Sequence, residues 1–432
     1  MHYNIKLSKK KFKKFQVLDY TMKNIFVILD GAAGLPNEIG KKSALDAAKT
    51  PNLDYFAKEG KCGLVRTVGK GIAPESDVAV VALLGYDPYK YFTGRGPLEA
   101  YGAEIKLGKN FVAFRTNFAT IYGNSIADRR VGRELTTREA KILEKTINKK
   151  VKLPCKFVYK STIGHRGVLV LYGKLKSDIS NVDPAYKIEG KFGVAKNKNK
   201  MEIQKVKALK KGSEKTADIV NSFVEQSIDV LSNHKLNQTR KLKGLLPANA
   251  LLLRDAGEKL PKFPQKKKWG AIVAMPLEIG IAKLAGMDIL KFKYPECRTN
   301  NVYKFLFKGL KETIKYSNLY IKKYWNKYDN FYVHFKECDI PGHDGLPEEK
   351  AKMIELIDKK FFSKLRKMKD FRLIVTSDHA TPCKLKSHSD DPVALLFYGN
   401  GKDKMTEFSE KSCQKGSLKT RLGKDIMKLV TK

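Results

Sequence analysis

Short apolar runs without polar alternation recur along the chain, and each ends abruptly near acidic residues or histidines. IFVIL precedes Asp30, FYVHF precedes a segment with Asp339 and His343, and LIVTS precedes Asp378 and His379. Runs of this kind predict strands that are buried on both faces, as in a parallel sheet. We therefore expect an α/β fold in which a mostly parallel sheet lies between helices.

Polar side chains that follow parallel strands meet at one edge of the sheet, where α/β proteins bind their ligands. Carboxylates and imidazoles brought together there repel one another or stay unsatisfied unless cations lie among them. The segment KLKSHSDDP adds His388. We therefore predict a metal site, with two ions. Each residue alone could instead be a turn former or a surface group, and His334, inside FYVHF, is interpreted as a packed strand residue.

Two helices near the start of the chain have clear boundaries. TPNLDYFAKEG predicts a helix with Thr50 as N-cap, Pro51 at its first position and Gly60 just after its end. A loop rich in Gly and Pro then leads into the apolar helix SDVAVVALLG, for which we predict Ser76 as N-cap. Free backbone N–H groups and the dipole at a helix start favour an anion. Ser76 is therefore predicted to lie beside an anion-binding position.

Composition limits the class of protein. The 432 residues are enough for two or three domains, and 42% hydrophobic content is typical of a globular protein. The six cysteines form no C-x-x-C pair, which indicates a reducing, cytoplasmic setting. No apolar stretch reaches the roughly 18 residues of a membrane helix, so we expect a soluble protein with no membrane partner. The sequence leaves the oligomeric state open.

The formal net charge of +40 is carried mainly by lysines, which are spread over nearly every polar segment. Three explanations stay open: lysine enrichment of solvated faces, steering of anionic substrates, and a polyanionic partner. Nucleic-acid binders usually have a basic stripe with arginine forks or aromatic residues. The chain has no such stripe, so we expect no specific nucleic-acid partner.

The order of the motifs predicts one domain split by another. The metal-type motifs lie before and after a middle region of alternating strand and helix patterns, and a linker, KLPKFPQKKKWG, follows that region. We place the two parts of the metal-binding domain at 22–105 and 268–432, with an inserted cap domain at 106–267. Residues 1–21 form a basic extension without the apolar segment of a signal peptide.

Eight motifs occur in order along nearly the whole chain. They are LDGAAGLP, TPNLDYFAKEG, PESDVAVVALLGYDP, GRGPLEA, DRRVGR, GLLPANALLLRDAGE, DIPGHDG and TSDHATPCKLKSHSDDPV. Together they resemble the archaeal-type cofactor-independent phosphoglycerate mutases of the alkaline phosphatase superfamily. The resemblance implies an alkaline-phosphatase-like α/β domain with an inserted smaller α/β cap. It also implies interconversion of 3-phosphoglycerate and 2-phosphoglycerate, in glycolysis and gluconeogenesis, without 2,3-bisphosphoglycerate.

The resemblance further implies two divalent metal ions and a serine nucleophile, Ser76, which forms a phosphoserine intermediate. Carried over motif by motif, one ion would be bound by Asp30, Ser76, Asp378 and His379, and the other by Asp339, His343 and His388. Mixed oxygen and nitrogen ligands suit Mn²⁺, Co²⁺ or Zn²⁺ better than Mg²⁺. We expect Mn²⁺, with the other three as alternatives.

Retention of glycerate between the two phosphoryl transfers requires cationic groups on the cap. The candidates for substrate binding are Asp128, Arg129, Arg130, Arg133, His165, Arg166 and Arg254. Each arginine could instead form a solvated ion pair, and Asp128 could orient an arginine. Arg95, in GRGP, is interpreted as structural, with a phosphate contact as the alternative.

Two positions depart from the family pattern. Ile279 stands where a lysine is typical, with the nearby Lys283 as a candidate substitute, and Glu75 stands where a glycine usually precedes the serine. Neither departure removes a metal ligand. Two alternatives to mutase activity follow: hydrolysis or another phosphoryl transfer at the same metal and serine centre, and a basic polyanion-binding protein on a degenerate mutase scaffold.

Overall fold

A computed structural model describes residues 22–190, 192–195, 201–298 and 301–430, and the predicted extension 1–21 lies outside these ranges. The strands are β1 (Lys23–Leu29), β2 (Gly60–Arg66), β3 (Phe111–Tyr122), β4 (Ser125–Asp128), β5 (Phe157–Ser161), β6 (Arg166–Tyr172), β7 (Tyr186–Glu189), β8 (Phe192–Ala195), β9 (Ala250–Gly257), β10 (Trp269–Ile272), β11 (Asp288–Ile289), β12 (Asn330–Phe335), β13 (Phe371–Thr376), β14 (Val393–Tyr398) and β15 (Lys419–Leu422).

The α-helices are α1 (Ala44–Ala47), α2 (Pro51–Lys58), α3 (Ser76–Leu83), α4 (Pro88–Tyr91), α5 (Arg95–Gly102), α6 (Thr137–Lys150), α7 (Glu214–Ser232), α8 (Lys235–Leu242), α9 (Pro276–Leu284), α10 (Val302–Lys323), α11 (Asp339–Asp344), α12 (Pro347–Ile357), α13 (Ser363–Leu365) and α14 (Glu410–Cys413). A π-helical turn, Asp358–Phe362, follows α12, and 3-10 turns cover Val131–Arg133 and Gly423–Leu429. Within the described ranges, no helix is both long enough and apolar enough to cross a bilayer.

Eight strands form the large sheet, in the order β11-β10-β12-β1-β13-β14-β2-β15. Every strand runs in the same direction except β14, which is antiparallel to both of its neighbours. The predicted mostly parallel sheet is therefore confirmed. Its central strands are apolar on both sides because helices cover both faces.

Two hydrophobic cores lie on the two faces of this sheet. On one face Val27 of β1 shares a core with α2, α10 and α12. On the other face Phe26 and Ile28 share a core with α3 and α9. Successive residues of β1 thus enter opposite cores, as the two-residue period of a strand requires. The sheet between helices that the sequence predicts is present.

A second sheet is built by strands that lie between Phe111 and Gly257, which is inside the predicted insert. Its order is β4-β3-β6-β5, and β9 pairs with β3, while β7 and β8 form a separate hairpin. Apolar residues of α6 and α7 cover one face of this sheet. The other face packs against α5, where Ala100 meets Val168 and Val170. The two sheets therefore sit on either side of α5.

The helix boundaries predicted from sequence are nearly those observed. Thr50 is the N-cap of α2 and Pro51 is its first residue, as predicted. Gly60 follows the C-cap Glu59 directly, as predicted, and it also opens β2. The prediction of Ser76 as N-cap of α3 is wrong by one residue: Glu75, in extended conformation, is the N-cap and Ser76 is the first helical residue.

Lys350 of α12 is completely buried and binds two separate loops through its ammonium group. Its Nζ donates to the carbonyls of Gly31 at 2.8 Å and Ala33 at 3.3 Å, in the loop after β1, and to Thr381 O at 2.7 Å, in the loop after β13. Gly31 has φ +58°, and a Cβ there would come within 2.7 Å of Asp339 Oδ1. This glycine and this lysine together fix how the two loops approach each other.

We predict that Lys350→Met lowers the free energy of unfolding by about 2–4 kcal/mol, because it leaves buried carbonyls without their donor. Urea unfolding monitored by circular dichroism measures this change. Lys352→Met is the matched control, since Lys352 lies two residues further along α12, is exposed and pairs with the surface residue Glu349. Equal stability of the two variants would contradict the assigned role of Lys350.

Candidate metal centre and substrate cavity

Asp30 lies at the centre of the site because β1 is paired on both sides. β12 and β13 flank β1 in parallel, with Leu29 level with Phe335 and Ile28 level with Thr376. The residue after each strand therefore reaches the same edge of the sheet. Asp30 is buried there, and its Oδ2 lies 2.9 Å from His334 Nε2 and closer still to Lys336 Nζ.

Ser76 joins this edge from the first turn of α3. Its Oγ lies 3.2 Å from His379 Nε2 and 2.9 Å from Lys336 Nζ. His379 Nε2 is also 3.2 Å from Asp378 Oδ2 and 3.7 Å from Asp30 Oδ1. The hydroxyl is thus held between an imidazole and an ammonium group.

Asp339, His343 and His388 form an adjoining group. Asp339 Oδ2 lies 3.4 Å from His343 Nε2, and its Oδ1 lies 3.6 Å from His388 Nε2. The ring of His388 stacks on that of His379, with centroids 3.7 Å apart, so the two groups are continuous. The seven residues predicted as metal ligands are therefore brought to one edge of the large sheet.

The polar atoms of these residues fit divalent cations. Asp30 Oδ1, Asp378 Oδ2 and His388 Nε2 are buried without a hydrogen-bond partner, as atoms reserved for a metal would be. His388 Nδ1 donates to Pro74 O at 2.8 Å and His343 Nδ1 to Lys386 O at 3.1 Å, so each Nε2 faces the carboxylates and would offer its lone pair to a metal on losing its proton. This donor set is suited to metal binding.

The ligand atoms lie closest together in two sets that differ from the predicted ones. One set is Asp339, His379 and His388, and the other is Asp30, His334 and Asp378, each with its ligand atoms within 4.8 Å of one another. His379 thus lies between the two groups. His334 is a buried residue of β12, as predicted, but it also points its Nε2 into the site, a contact that the sequence interpretation missed.

Lys336 was also missed, although the register of β12 could have identified it. It follows Phe335 directly, and its Nζ lies 3.3 Å from Glu278 Oε1 in addition to contacting Asp30 and Ser76. Burial lowers the pKa of Lys336, but Asp30 and Glu278 more than offset this and raise it above the ordinary value. Lys336 is therefore a cation beside the serine.

The two departures from the family pattern have different surroundings. Ile279 packs into the apolar core beneath α9. Lys283, the candidate substitute, pairs with Glu104 at 3.1 Å outside the site, so that expectation is wrong and Lys336 occupies the position beside the serine. Glu75 is buried, and although burial raises the pKa of its carboxyl, His388 and Arg254 hold it well below the ordinary value.

A cavity rich in positive charge opens next to Ser76, between the two sheets. Its cationic lining consists of Arg95, Arg115, Arg130, Arg133, Arg166, Arg254 and Lys336, and its carboxylates are Glu75, Glu99, Glu278 and Asp339. Seven permanent cations thus face four carboxylates. The Nε atoms of Arg115, Arg166 and Arg254 are buried without partners. An anionic ligand would balance the charge and accept these free N–H groups.

Most of the predicted substrate-binding residues line this cavity: Arg130, Arg133, His165, Arg166 and Arg254. Asp128 and Arg129 do not. Asp128 accepts the backbone N–H groups of Arg130 and Gly132 at 2.6 and 2.9 Å, and Arg129 binds Asp183 through two nitrogens at 3.0 and 2.7 Å. In the structure these two residues hold parts of the predicted insert together, and their contact with substrate stays a prediction.

Arg95 and Arg115 line the cavity. The sequence interpretation gave Arg95 as structural, with a phosphate contact as the alternative, and did not include Arg115. Arg95 Nε donates to Glu99 Oε1 at 2.6 Å, and Arg115 Nη1 makes an even shorter contact with the same oxygen. Arg115 lies in the apolar run of β3, and a charged residue within a buried strand was the available signal. Glu99 fixes both guanidinium groups.

Burial and the crowding of positive charge lower the pKa of several lining groups. Burial and the neighbouring Arg95 lower the pKa of Arg115 to about 10, and burial and Arg130 lower that of Arg133 to about 10. Burial, followed by Arg166, lowers the pKa of His165 well below 6.5. His165 is therefore neutral at neutral pH, while the arginines keep their charge.

Fold and site together define a metal-dependent enzyme whose serine lines a cavity rich in positive charge. Comparison with known proteins agrees. Residues 283–432 match the family model of the metalloenzyme superfamily, and residues 57–237 match that of the 2,3-bisphosphoglycerate-independent phosphoglycerate mutases.

Relatives of that name match nearly the whole chain. The protein from Aeropyrum pernix is 38% identical, covering 93% of this chain and 97% of its own, and one from Methanocaldococcus jannaschii is 36% identical, covering 94% and 96%. This chain therefore belongs to the family of 2,3-bisphosphoglycerate-independent phosphoglycerate mutases, and the predicted family is confirmed.

Solved structures support the same assignment. A Pyrococcus horikoshii protein superposes with a TM-score of 0.71 at 28% identity, covering 95% of this chain and 96% of its own. The cofactor-independent phosphoglycerate mutase of Thermoplasma acidophilum gives a TM-score of 0.54 at 28% identity, covering 95% and 99%. The predicted fold class is confirmed.

We predict that His165 makes the folded protein less stable in mild acid. Because the folded state keeps His165 neutral, unfolding takes up a proton below pH 6.5, and the free energy of unfolding falls by up to about 1 kcal/mol per pH unit from this residue. Urea unfolding of the wild type and His165→Gln between pH 8 and pH 5.5 measures the effect. The variant should lose less stability below pH 6.5, and parallel profiles would contradict the prediction.

Proposed function

We propose that this phosphoglycerate mutase interconverts 3-phosphoglycerate and 2-phosphoglycerate through a phosphoserine on Ser76. The observation that carries the proposal is the position of Ser76 Oγ, between His379 Nε2 and Lys336 Nζ at the mouth of the cationic cavity. In the first step Ser76 Oγ bonds to phosphorus, the bond from phosphorus to O3 of glycerate breaks, and the serine proton goes to that oxygen. The reverse step delivers the phosphoryl group to O2 of glycerate.

Two divalent ions are proposed as cofactors, held by Asp30, Ser76, Asp339, His343, Asp378, His379 and His388, with His334 near the first group. When bound, such ions neutralise phosphoryl oxygens and favour the alkoxide of serine. The unpartnered atoms of Asp30, Asp378 and His388 support this. Mn²⁺ is the proposed metal, ahead of Co²⁺, Zn²⁺ and Mg²⁺, because the ligands mix oxygen with nitrogen. No 2,3-bisphosphoglycerate is required.

Lys336 is proposed to stabilise negative charge on Ser76 Oγ while the bond to phosphorus forms and breaks. Its ammonium group is fixed by Asp30 and Glu278, so little reorganisation is needed during the reaction. Lys336, directly after β12, is thus proposed to perform the task that Ile279 on α9 cannot.

The cap, proposed as residues 106–267, holds glycerate while it reorients. Arg130, Arg133, His165, Arg166 and Arg254 are the proposed substrate-binding residues, and Arg95 and Arg115 are added to them because they line the same cavity. Guanidinium groups bind carboxylate and phosphate in two-pronged fashion. The substrate would be enclosed in the cavity between the two sheets. Exclusion of water from this cavity would favour transfer of the phosphoryl group back to glycerate over hydrolysis. The cytoplasm is the proposed compartment, since phosphoglycerates are metabolites of glycolysis.

Ser76→Ala is expected to lower turnover at least about 10³-fold, because it removes the nucleophile. An enolase-coupled assay measures it, on protein stripped of metal and reloaded with Mn²⁺, Co²⁺, Zn²⁺ or Mg²⁺. Ser317→Ala, a buried serine of α10 remote from the site, is the control and should keep wild-type turnover. Full activity of Ser76→Ala would rule out the phosphoserine route, and release of inorganic phosphate by the wild type instead of 2-phosphoglycerate would indicate a phosphatase.

Lys336→Met is expected to lower kcat about 10²-fold without loss of bound metal, because a fixed positive charge beside the reacting oxygen is removed. Lys283→Met is the matched control, since this lysine pairs with Glu104 on the surface. Metal content by mass spectrometry accompanies the kinetics. A Lys336→Met enzyme with unchanged kcat would show that the ammonium group has no part in the reaction.

A further inference from the structure

Glu75 places a carboxylate inside the substrate cavity, next to the nucleophile. Its Oε2 lies 3.4 Å from Arg95 Nη1 and 3.6 Å from Arg254 Nη2, and its Oε1 lies 3.4 Å from His388 Nδ1. The side chain is 9% exposed. A buried carboxylate thus lies between two guanidinium groups that face the cavity.

Each of these three partners makes a shorter contact with a group other than Glu75. Arg95 Nε already donates to Glu99 Oε1 at 2.6 Å, Arg254 Nη1 makes a shorter contact with Asp255, and His388 Nδ1 donates to Pro74 O at 2.8 Å. The contacts of Glu75 are longer than those of a tight charged pair. Its carboxylate can therefore leave without stripping either arginine of its main partner.

The backbone also permits this movement. Glu75 is the N-cap of α3 in extended conformation, and its side chain makes no capping hydrogen bond to the helix. Rotation of the side chain away from the arginines breaks no bond that holds α3. Arg254 meanwhile keeps a buried Nε without a partner and stacks on the ring of Tyr186 at 3.6 Å, so it is held in place with a donor still free.

We propose that Glu75 is an internal competitor for the substrate: its carboxylate occupies the position between Arg95 and Arg254 that an anionic group of the substrate takes on binding. Glu75 is in this sense a specificity-determining residue. It sets the affinity of the cavity for anions, weakens ground-state binding of phosphoglycerate and assists release of product. The identity of the ligand rests on the proposed function, whereas competition with a small anion does not.

Calorimetry with inorganic phosphate on the Mn²⁺-loaded protein tests the competition directly. Glu75→Gln removes the negative charge and keeps the shape of the side chain. We expect its Kd for phosphate to be about 5- to 20-fold lower than that of the wild type, because a like charge is removed from the anion position. KM for 3-phosphoglycerate should fall by a similar factor with kcat unchanged or lower, as for a change in ground-state binding.

Two further variants make the test specific. Glu104→Gln removes an exposed carboxylate outside the cavity and should leave the phosphate Kd unchanged. Glu75→Gly should tighten phosphate binding as well, and glycine is tolerated at an N-cap, so folding is preserved. An unchanged or weaker phosphate affinity in Glu75→Gln would overturn the proposal. Loss of bound Mn²⁺ together with weaker phosphate binding would overturn it too, because Glu75 would then act through His388.

If the wild type binds phosphate but does not convert phosphoglycerate, the proposed function fails while the phosphate titrations still decide the role of Glu75. If the enzyme is active and the Glu75 variants bind phosphate no better than the wild type, the inference fails and the function stands.

Discussion

The hydrogen bonds of the Lys350 ammonium group are the interaction on which the site depends. The group is buried and binds carbonyls of Gly31, Ala33 and Thr381, so it ties the loop after β1 to the loop after β13. Strand pairing brings Asp30, Asp378 and Asp339 to one edge, but pairing alone does not fix the loops that follow. Burying a charge is unfavourable unless it is well solvated by polar groups, and the three carbonyls provide that solvation. The geometry of the predicted metal ligands is thus set by a residue that touches none of them.

Concentration of like charge is the second constraint. The cavity gathers cations that repel one another, and the depressed pKa values of Arg115, Arg133 and His165 reflect this repulsion and their burial. Glu99 holds two of the arginines, and Glu278 with Asp30 holds Lys336. Carboxylates within the protein therefore keep the cations in place, and a residual positive charge remains for the ligand. Such an arrangement lowers the stability of the unliganded protein and favours binding of an anion.

The parts of the fold that follow from local pattern could be predicted from the sequence. Asp30, Asp339 and Asp378 follow apolar strands, so their meeting at one edge depends only on parallel pairing. The direction of long side chains could not be predicted. Arg129 and Arg130 are neighbours, yet only Arg130 lines the cavity, because Arg129 finds Asp183, a residue 54 positions away. Arg115 was missed because it is embedded in the apolar run of β3, and Lys336 because it follows β12 directly, where only the register of the strand shows which way the side chain points.

Pairing of β1 with β12 and β13 also affects how the protein is made. Asn24 lies beside Asn330 and Arg372, so β1, the first strand among the described residues, has no neighbouring strand in the sheet until β12 and β13 have emerged from the ribosome. The sheet between Phe111 and Gly257 uses partners much nearer in the chain and can form earlier during translation. The nascent protein is consequently expected to carry a finished second sheet while the large sheet is still incomplete, with apolar β1 exposed to chaperones in the interval.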